Sequence, residues 1–458
     1  MIGRTNADYT GTVVLTVTLS RAVSGASVTA TNSYKTYAKT TNASGVATMR
    51  VRPGLSYTVS AMGRSEVVYV GSQGASVYLD VVFIWGCDIA IATADPWARV
   101  TYPSDVENFG YTPATGHDVK GWADSTLIND IAPVRIANGV KTYLDKRDPT
   151  KTADGSASNI TIAGNDAFAE FPLKWLSITS DANYVHIRFS NFQVDSTYQC
   201  YAHRFDGQNQ SAFYYGMFLA ERRTINGTTG LYSIGGGRPT TNEAYGDFIS
   251  YAHNRGAGYD IATFYQTMYI EALLILLYKT TDIQGSSDSR HGLAYGRDDL
   301  AISSVISYDN DYGMAGTKQS DSPRMSAFWV NDFYGNCNSA IGCAFGPNPL
   351  KTIVDGLSTT DTSLFEKSID TGISTPLSGW VTGVVGTTDA GLLPNQASGG
   401  SSSTYWADYC NYYAGRFPYF GGKGGNTWRG FYWQFDICGN GYSQYVSSRL
   451  SYRIGLMS

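Results

Sequence analysis

Apolar and polar residues alternate in short segments along residues 8–82. The segments read TVVLTVTL, ASVTATN, VATMRVRP, SYTVSAM, EVVYVG and SVYLDVV, and turn-forming residues separate them at 42–45, 53–54 and 71–72. Short alternating segments that recur about every ten residues predict an antiparallel β-sandwich, because each strand buries one face and exposes the other. No catalytic constellation occurs in this region, and we therefore expect it to be structural.

The pattern is less regular between residues 83 and 165, where turns replace long alternating runs. The pairs Asp95-Pro96, Tyr102-Pro103 and Asp148-Pro149 each fix extended or turn geometry, because proline restricts its own backbone and that of the residue before it. We interpret this region as a semi-rigid connector.

Residues 166–458 read as one long α+β domain. The segments YVHIRFSNFQ at 184–193 and FYYGMFLAER at 213–222 are predicted strands. A helix is predicted at 260–280, with Asp260 as its N-cap, and its second half is apolar nearly all round. We expect this helix to be buried on most sides as the core element of the domain. The long polar connections that follow, up to residue 404, are typical of functional loops.

The end of the chain holds an aromatic-rich segment, residues 405–454, in which Gly, Asn and Ser separate the rings. Tyrosine and tryptophan offer rigid contact area with a polar tip, which is the composition of a binding surface. A β-rich core also needs aromatic residues, and this alternative stays open. However, five of the rings follow neither the period of a strand nor that of a helix: Trp406, Tyr409, Tyr412, Tyr413 and Tyr419. Some of them must therefore face outward. The candidate contact residues are Trp406, Tyr409, Tyr412, Tyr413, Tyr419, Trp428, Phe431, Trp433, Tyr442 and Tyr445, with Arg429 and Asn440 to orient the ligand by hydrogen bonds.

Length and charge narrow the classes of function. A chain of 458 residues predicts two to four domains. Its net charge is −5 and it has no basic run, so nucleic acid is not an expected partner. The longest apolar run, at 272–278, is far shorter than the ~18 residues that a membrane span needs, so we expect no membrane insertion. The polar start after Met1 does not have the pattern of a secretory signal.

Residues suited to catalysis or metal binding form no convincing set. The six cysteines show no C-x-x-C pair or zinc spacing, which favours buried thiols over a disulfide framework. Trp329-Val330-Asn331-Asp332 resembles part of a calcium-dependent sugar site, but the proline loop that should precede it is missing. No metal or cofactor is therefore predicted. The five histidines are interpreted as hydrogen-bonded structural residues. Hydrolysis of a glycan needs two opposed carboxylates, and no pair stands out among Asp298, Asp299, Asp309, Asp311, Asp321 and Asp332.

Two resemblances concern the first half of the chain. VSGASVTA, TTNASGVATMRV and PGLSYTVSA resemble the Ig-like sandwich of carboxypeptidase-regulatory-like or collagen-binding-B-type modules, which implies a spacer or attachment unit at 1–82. GCDIAIATADPWARVTYPSDVENFGYTP, PVRIANGVKTYLDKRDPTKTADGSASNI and GNDAFAEFPLKW look like the shared portion of tail-fibre proteins from phages of gut bacteria.

A third resemblance concerns residues 399–454. The lead-in GGSSSTYWADYCNYYAG, Arg416, Gly421-Gly422, Gly430 before FYWQFD, and Ser448-Arg449-Leu450 resemble the variable region of phage tropism determinants, which have a C-type lectin fold. The resemblance implies that the glycines and Arg449-Leu450 are scaffold. One departure is that residues 423–427 intervene before Trp428, where the family has a tryptophan soon after the glycine pair. The fold also houses a formylglycine-forming oxidase, whose pair of thiols in the last strands is not matched here.

Together these features predict a mainly β chain with an α+β part: an Ig-like β-sandwich at 1–82, a connector at 83–165 and a C-type-lectin-like domain at 166–458. The resemblances imply a phage tail-fibre receptor-binding protein, made in the host cytoplasm and located in the virion. Its expected partners are a host-surface protein or glycan and other tail proteins, which contact the N-terminal domain, and a homotrimer is implied. A depolymerase of surface glycan and a purely structural virion component are the alternatives.

Overall fold

The computed structural model has two compact units, formed by residues 1–84 with 190–194 and by residues 85–189 with 195–458. It describes residues 11–20, 24–62, 64–81, 83–103, 106, 112–115, 118–283, 305–306, 308, 310–316, 325–422, 433–437 and 446–453. The chain is mainly β, as its alternating pattern predicts. No helix in these described ranges is long and apolar enough to cross a membrane.

The first unit is built from seven described strands: β1 (Val13–Leu19), β2 (Ser27–Thr31), β3 (Thr36–Thr40), β4 (Val46–Val51), β5 (Leu55–Ala61), β6 (Arg64–Val70) and β7 (Ala75–Leu79). They form a sheet of order β4-β1-β7 and another of order β3-β2-β5-β6. Each predicted segment is a strand, and β3 is an addition that the pattern did not reveal. The expectation of purely antiparallel pairing was wrong, because β1 and β7 run parallel.

Alternation explains the core of this unit. Leu15, Val17 and Leu19 on β1 are buried, whereas the residues between them are not fully buried. The late segment 190–194 joins the same unit through Asn191. Its amide accepts a hydrogen bond from the backbone N–H of Phe83 and donates one to the carbonyl of Val81, each at 2.8 Å.

The second unit contains the remaining described strands. They are β8 (Ile84–Ala90), β9 (Val100–Thr101), β10 (Ala132–Ala137), β11 (Val140–Tyr143), β12 (Asp166–Pro172), β13 (Trp175–Ser180), β14 (Tyr184–Ser190), β15 (Arg204–Phe205), β16 (Gln208–Asn209), β17 (Ala212–Leu219), β18 (Glu221–Ile225), β19 (Thr228–Tyr232), β20 (Tyr259–Ile261), β21 (Ala315–Gly316), β22 (Met325–Ala327), β23 (Val330–Asn331), β24 (Asn338–Ala340), β25 (Ala344–Phe345), β26 (Leu350–Thr352), β27 (Lys367–Ile369), β28 (Leu377–Trp380), β29 (Gly383–Val384), β30 (Pro394–Gln396), β31 (Tyr409–Tyr412), β32 (Phe417–Phe420), β33 (Gln434–Ile437) and β34 (Val446–Tyr452).

One large sheet organises this unit. Within the described residues its order is β11-β10-β12-β17-β34-β24-β32-β33-β31-β28, and β20 also pairs with β34. Strand β34 therefore lies in the middle of the sheet, and all seven of its residues are buried. Strand β28 ends the sheet on one side.

Residues 83–165 are not a separate connector, and the sequence-based boundary at 165 is not seen in the structure. Strands β10 and β11 come from this region, and β10 pairs antiparallel with β12 from Ala132↔Glu170 to Ile136↔Asp166. The same compact unit holds residues 85–189 and 195–458. Proline-containing turns fix local geometry, but the backbone hydrogen bonds of β10 are made across the predicted boundary.

Three α-helices are described: α1 (Thr126–Asn129), α2 (Tyr245–His253) and α3 (Phe264–Tyr278). All fifteen residues of α3 are buried, which confirms the prediction of a core helix. Its predicted cap was wrong. Asp260 lies on β20, and the helix begins after Thr263, whose N–H donates to the Gln266 side chain at 3.1 Å. The predicted strand at 184–193 is shorter, as β14, and the one at 213–222 is divided between β17 and β18.

Local turn chemistry closes several hairpins of this unit. The β10–β11 connection is Asn138-Gly139 and the β18–β19 connection is Asn226-Gly227, and both residues of each pair have a positive φ. A two-residue hairpin turn of this kind needs positive φ at both positions, which Asn and Gly adopt most readily. These pairs set the register of their hairpins.

Candidate functional site

Strand alternation divides the described part of the aromatic-rich segment between two faces of the large sheet. On β31, Cys410 and Tyr412 are fully buried, whereas Tyr409 and Asn411 are half-buried and Tyr413 is exposed. Tyrosines occupy both faces, so their spacing alone does not show the period of two that the strand has.

Four predicted contact residues are buried, and the expectation that they face outward was wrong. The exposed fractions are 4% for Trp406, 0% for Tyr412, 9% for Tyr419 and 0% for Trp433. The ring of Trp433 packs between Phe264 of α3 and Phe420, at centroid distances of 5.4 and 4.9 Å. These rings are part of the packed interior of the unit.

The remaining buried rings have equally specific neighbours. The ring of Tyr412 meets that of Phe435 edge-on at 5.2 Å. The ring of Trp406 lies 5.4 Å from the guanidinium of Arg99, which is itself buried. These contacts hold the rings of Tyr412 and Trp406 inside the unit.

The outward face at the end of the sheet presents a different group. Strand β28 pairs antiparallel with β31, with Trp380 opposite Tyr409 and Ser378 opposite Asn411. Directly opposed residues share a face. We call Ser378, Trp380, Tyr409, Asn411 and Tyr413 the edge patch; none of them is buried.

The edge patch is ordered by its own contacts. The rings of Trp380 and Tyr409 meet edge-on, with centroids 5.7 Å apart and an interplanar angle of 83°. The hydroxyls of Ser378 and Tyr409 are 3.0 Å apart. Tyr413 is 43% exposed, and its N–H donates to the carbonyl of Phe435 at 2.8 Å. The patch thus combines apolar ring area with hydroxyl and amide groups in a fixed geometry.

Helix α2 explains why this face is open only near the edge. Its Tyr245 stacks on Phe417 of β32 with ring centroids 4.3 Å apart. Tyr419, on the same strand, belongs to the same buried cluster, and Tyr409 is only partly buried against that cluster. Burial therefore decreases along this face from β32 to β31. The covered part is core, and the uncovered part is the edge patch.

Six predicted contact residues lie outside the described residues: Trp428, Arg429, Phe431, Asn440, Tyr442 and Tyr445. The described residues next to them in the sequence have a defined register in the large sheet. The register pairs Phe420 with Ser339, Val446 with Asn338, and Gln434 with Asn411. These pairings place Gly422, Trp433 and Val446 at one end of the sheet. Tyr409 and its partner Trp380 lie toward the same end.

The predicted scaffold residue Arg449 is fully buried at the centre of the sheet. Its guanidinium donates to the carbonyls of Gly216, Asn331 and Asp332 at 2.9, 2.9 and 3.0 Å. Burial lowers the pKa of Arg449. Leu450 is also buried. This arrangement fixes β34 to β17 and to the segment that follows β23.

The Trp329–Asp332 segment has a structural role, because Arg449 and two further hydrogen bonds hold it in place. The Trp329 indole donates to the carbonyl of Lys146 at 2.9 Å. One carboxylate oxygen of Asp332 accepts from the amide of Asn336 at 3.1 Å. No group of three or more His, Cys, Asp or Glu that could hold a metal is present among the described residues.

The described cysteines, Cys87, Cys200, Cys337, Cys343 and Cys410, are all free and buried, as predicted; Cys438 lies outside the described residues. Burial raises the pKa of the Cys200 thiol to about 11 and those of Cys343 and Cys410 to about 12. A thiol with such a pKa is protonated at neutral pH and is a weak nucleophile.

Of the six aspartates considered for glycan hydrolysis, Asp311 and Asp332 are described. Asp311 accepts from the guanidinium of Arg147 at 2.6 Å in an exposed ion pair, whereas Asp332 is buried. Asp298, Asp299, Asp309 and Asp321 lie outside the described residues. The two described carboxylates have separate partners.

The described histidines have structural partners. The Nδ1 of His186 is 2.7 Å from Asp88, and Nε2 of buried His203 is 3.2 Å from the carbonyl of Phe171. His253 lies 3.4 Å from Asp260. His117 and His291 lie outside the described residues.

Comparison with known proteins assigns no family to this chain. No model of a known protein family matches this chain, and no curated protein matches it.

Proposed function

We propose that this chain is a receptor-binding protein of a phage tail, and that it acts by binding a host-surface molecule rather than by catalysis. The observation that carries the proposal is the position of Trp380 and Tyr409. They form a half-buried ring pair toward the sheet end that also holds Gly422, Trp433 and Val446.

The chemistry of the edge patch supports binding. Trp380, Tyr409 and Tyr413 offer ring area, and Ser378 and Asn411 add hydrogen-bonding groups beside them. In contact surfaces of this kind a few aromatic residues carry most of the free energy, about 2 kcal/mol or more each. Because Trp380 and Tyr409 already contact each other, little side-chain entropy is lost when they bind.

The proposal also includes a fold for each of the two units. We propose an Ig-like sandwich for the first unit and a C-type-lectin-like fold for the second. The two sheets of the first unit, each with a buried side, support the former. Helices α2 and α3, together with terminal strands in one sheet, support the latter.

We also propose that the first unit attaches the chain to other tail proteins. Its strands β6 and β7 expose Val67, Tyr69 and Tyr78, which are large apolar side chains for a surface. We propose in addition that the chain forms a homotrimer. Several binding surfaces on one virion strengthen individually weak contacts, because they raise the effective concentration of each surface near the host cell.

The test is adsorption of labelled full-length protein to a panel of gut bacterial strains. Trp380→Ala, Tyr409→Ala and Tyr413→Ala are compared with Tyr143→Ala, which removes a tyrosine of similar exposure (48%) outside the edge patch. We expect binding to weaken at least about tenfold for Trp380→Ala, and Tyr143→Ala to bind like the unaltered protein. Equal binding by all four variants would exclude the edge patch as the contact surface.

Two further measurements separate the alternatives. Release of reducing sugar from the envelope of a bound strain would indicate a depolymerase. Failure of the folded full-length protein to adsorb to any strain of the panel would indicate a structural virion component.

A further inference from the structure

The second unit also contains an open cleft of about 410 Å³. It is lined by the end of β13, by residues 196–201 and by residues 386–389. Small-ligand sites have volumes of about 300–1,000 Å³, so the cleft is large enough for one. None of the edge-patch residues lines it.

The walls of the cleft are held together by hydrogen bonds. The hydroxyl of Thr388 accepts from the N–H of Ile178 at 2.9 Å and lies within 2.9 Å of the carbonyl of Thr197, so it joins all three lining segments. The backbones of Leu176 and Gln199 exchange two hydrogen bonds, at 2.8 and 2.9 Å. The cleft is therefore formed before any ligand arrives.

Most of its lining residues have polar, uncharged side chains. Among the described residues, the hydroxyls of Thr179, Ser180 and Ser196 have no hydrogen-bond partner, and Thr179 and Ser196 belong to different walls. Gln199 donates from its amide nitrogen to the carbonyl of Ser196 at 2.8 Å, which leaves its amide oxygen as an acceptor. Ile178 is the main aliphatic contribution.

One corner of the cleft contains a neutralised charge. The Tyr201 hydroxyl donates to Oδ1 of Asp389 at 2.9 Å. The ammonium of Lys367 donates to that hydroxyl at 2.5 Å and also to Asp389. The second carboxylate oxygen of Asp389 remains a strong acceptor, while the ion pair has no net charge.

These features select a class of ligand. A phosphate would require unpaired cationic groups, and a divalent cation would require several carboxylates, whereas Asp389 is the only carboxylate among the lining residues. An apolar ligand would leave the hydroxyls unsatisfied. We infer that the cleft is a binding site for a neutral, hydroxyl-rich ring, that is, an uncharged sugar residue. This inference concerns different residues from the proposed function and does not depend on it.

The experiment is saturation-transfer difference NMR with the full-length protein and individual sugars: D-glucose, D-galactose, D-mannose and N-acetyl-D-glucosamine. D-glucuronic acid and inorganic phosphate titrations are the charged comparisons. Thr179→Val removes one hydroxyl with little change in shape, and Ser196→Trp fills the opening. Thr228→Val is the matched control, since Thr228 is an exposed strand residue outside the cleft.

We expect at least one neutral sugar to receive saturation, and we expect its affinity to fall at least about tenfold in both cleft variants but not in Thr228→Val. The inference is overturned if no neutral sugar binds or if both cleft variants bind as the unaltered protein does. Tighter binding of glucuronic acid or phosphate than of every neutral sugar would also overturn it. The tryptophan fluorescence melting curve of each variant shows whether the unit is still folded.

Discussion

The indole nitrogen of Trp433 lies 3.4 Å from Oε2 of Glu271, inside the unit where α3 packs against the large sheet. Burial raises the pKa of Glu271 well above its ordinary value; the hydrogen bond from Trp433 lowers it and the nearby charge of Asp408 raises it further. Burial at this position therefore favours the neutral form of the carboxyl. The pair shows that a tryptophan predicted to contact a ligand instead helps to satisfy a buried acid.

The raised pKa of Glu271 predicts a specific dependence of stability on pH. In the unfolded chain this carboxyl titrates near 4.5, and in the folded chain it titrates higher. Between these two values the unfolded chain binds fewer protons than the folded chain. The free energy of unfolding therefore falls as pH rises above about 4.5, by no more than about 1.4 kcal/mol per pH unit, and is not reduced by this group below that value.

The variant Glu271→Gln removes this titration, so we expect it to be more stable than the unaltered protein at pH 7 and to lose that advantage toward pH 4.5. Urea unfolding followed by tryptophan fluorescence measures this, because every tryptophan lies at or after Trp85, in the second unit. Glu66→Gln, which removes an exposed carboxylate, is the control. Parallel pH profiles for Glu271→Gln and the unaltered protein would contradict the prediction.

Trp433 and Trp380 are expected to respond in opposite ways to alanine substitution. Trp433 is fully buried, and its removal leaves a cavity that costs about 3–5 kcal/mol. Trp380 is only half-buried, so Trp380→Ala is expected to cost about 1 kcal/mol and to weaken cell binding. Thermal unfolding and adsorption measured on the same samples test this. A Trp433→Ala protein of normal stability that failed to bind cells would restore Trp433 as a contact residue.

Arg449 is expected to contribute strongly to the stability of the folded protein. Arg449→Met keeps much of the apolar stem but leaves the carbonyls of Gly216, Asn331 and Asp332 without their donor. Buried unsatisfied acceptors cost about 1–3 kcal/mol each, so we expect a loss of at least about 3 kcal/mol in chemical denaturation. Arg223→Met, at an exposed ion pair, should change stability by less than about 1 kcal/mol. Comparable losses in the two variants would contradict the role assigned to Arg449.

The buried thiols are expected to be unreactive in the folded protein. Burial raises the pKa of both Cys343 and Cys410 to about 12, so the reactive thiolate is scarce and the sulfur is inaccessible. Iodoacetamide labelling at pH 8, followed by peptide mapping, should modify these two residues only after denaturant is added. Rapid labelling of either peptide under native conditions would show that the segment around that cysteine opens.

Patterns confined to a few neighbouring residues were read correctly from the sequence. The alternating segments of the first unit became strands because each needs one buried face, whatever its partners. The run at 264–278 became a buried helix because its apolar residues surround the axis.

Properties that depend on distant partners were not predicted correctly from the sequence. Asp260 is suited to cap a helix, but Ser358 and Arg453 lie within hydrogen-bonding distance of its carboxylate and it is buried on β20. The prediction of a connector failed because β10 completes its hydrogen bonds with β12. Tyr412 and Tyr413 are neighbours of the same residue type, yet Tyr412 is fully buried against Phe435 whereas Tyr413 is 43% exposed.

The sequence by itself determined that this chain is mainly β, has one wholly buried helix and concentrates its aromatic residues near the end, because each of these is a local consequence of residue type and period. Only the tertiary structure decided which rings are core and which form the edge patch, and it alone formed the polar cleft from three separate segments. The physical reason is that the exposure of a side chain depends on which other parts of the chain pack over it. Those parts are distant in the sequence, so a local pattern does not reveal them.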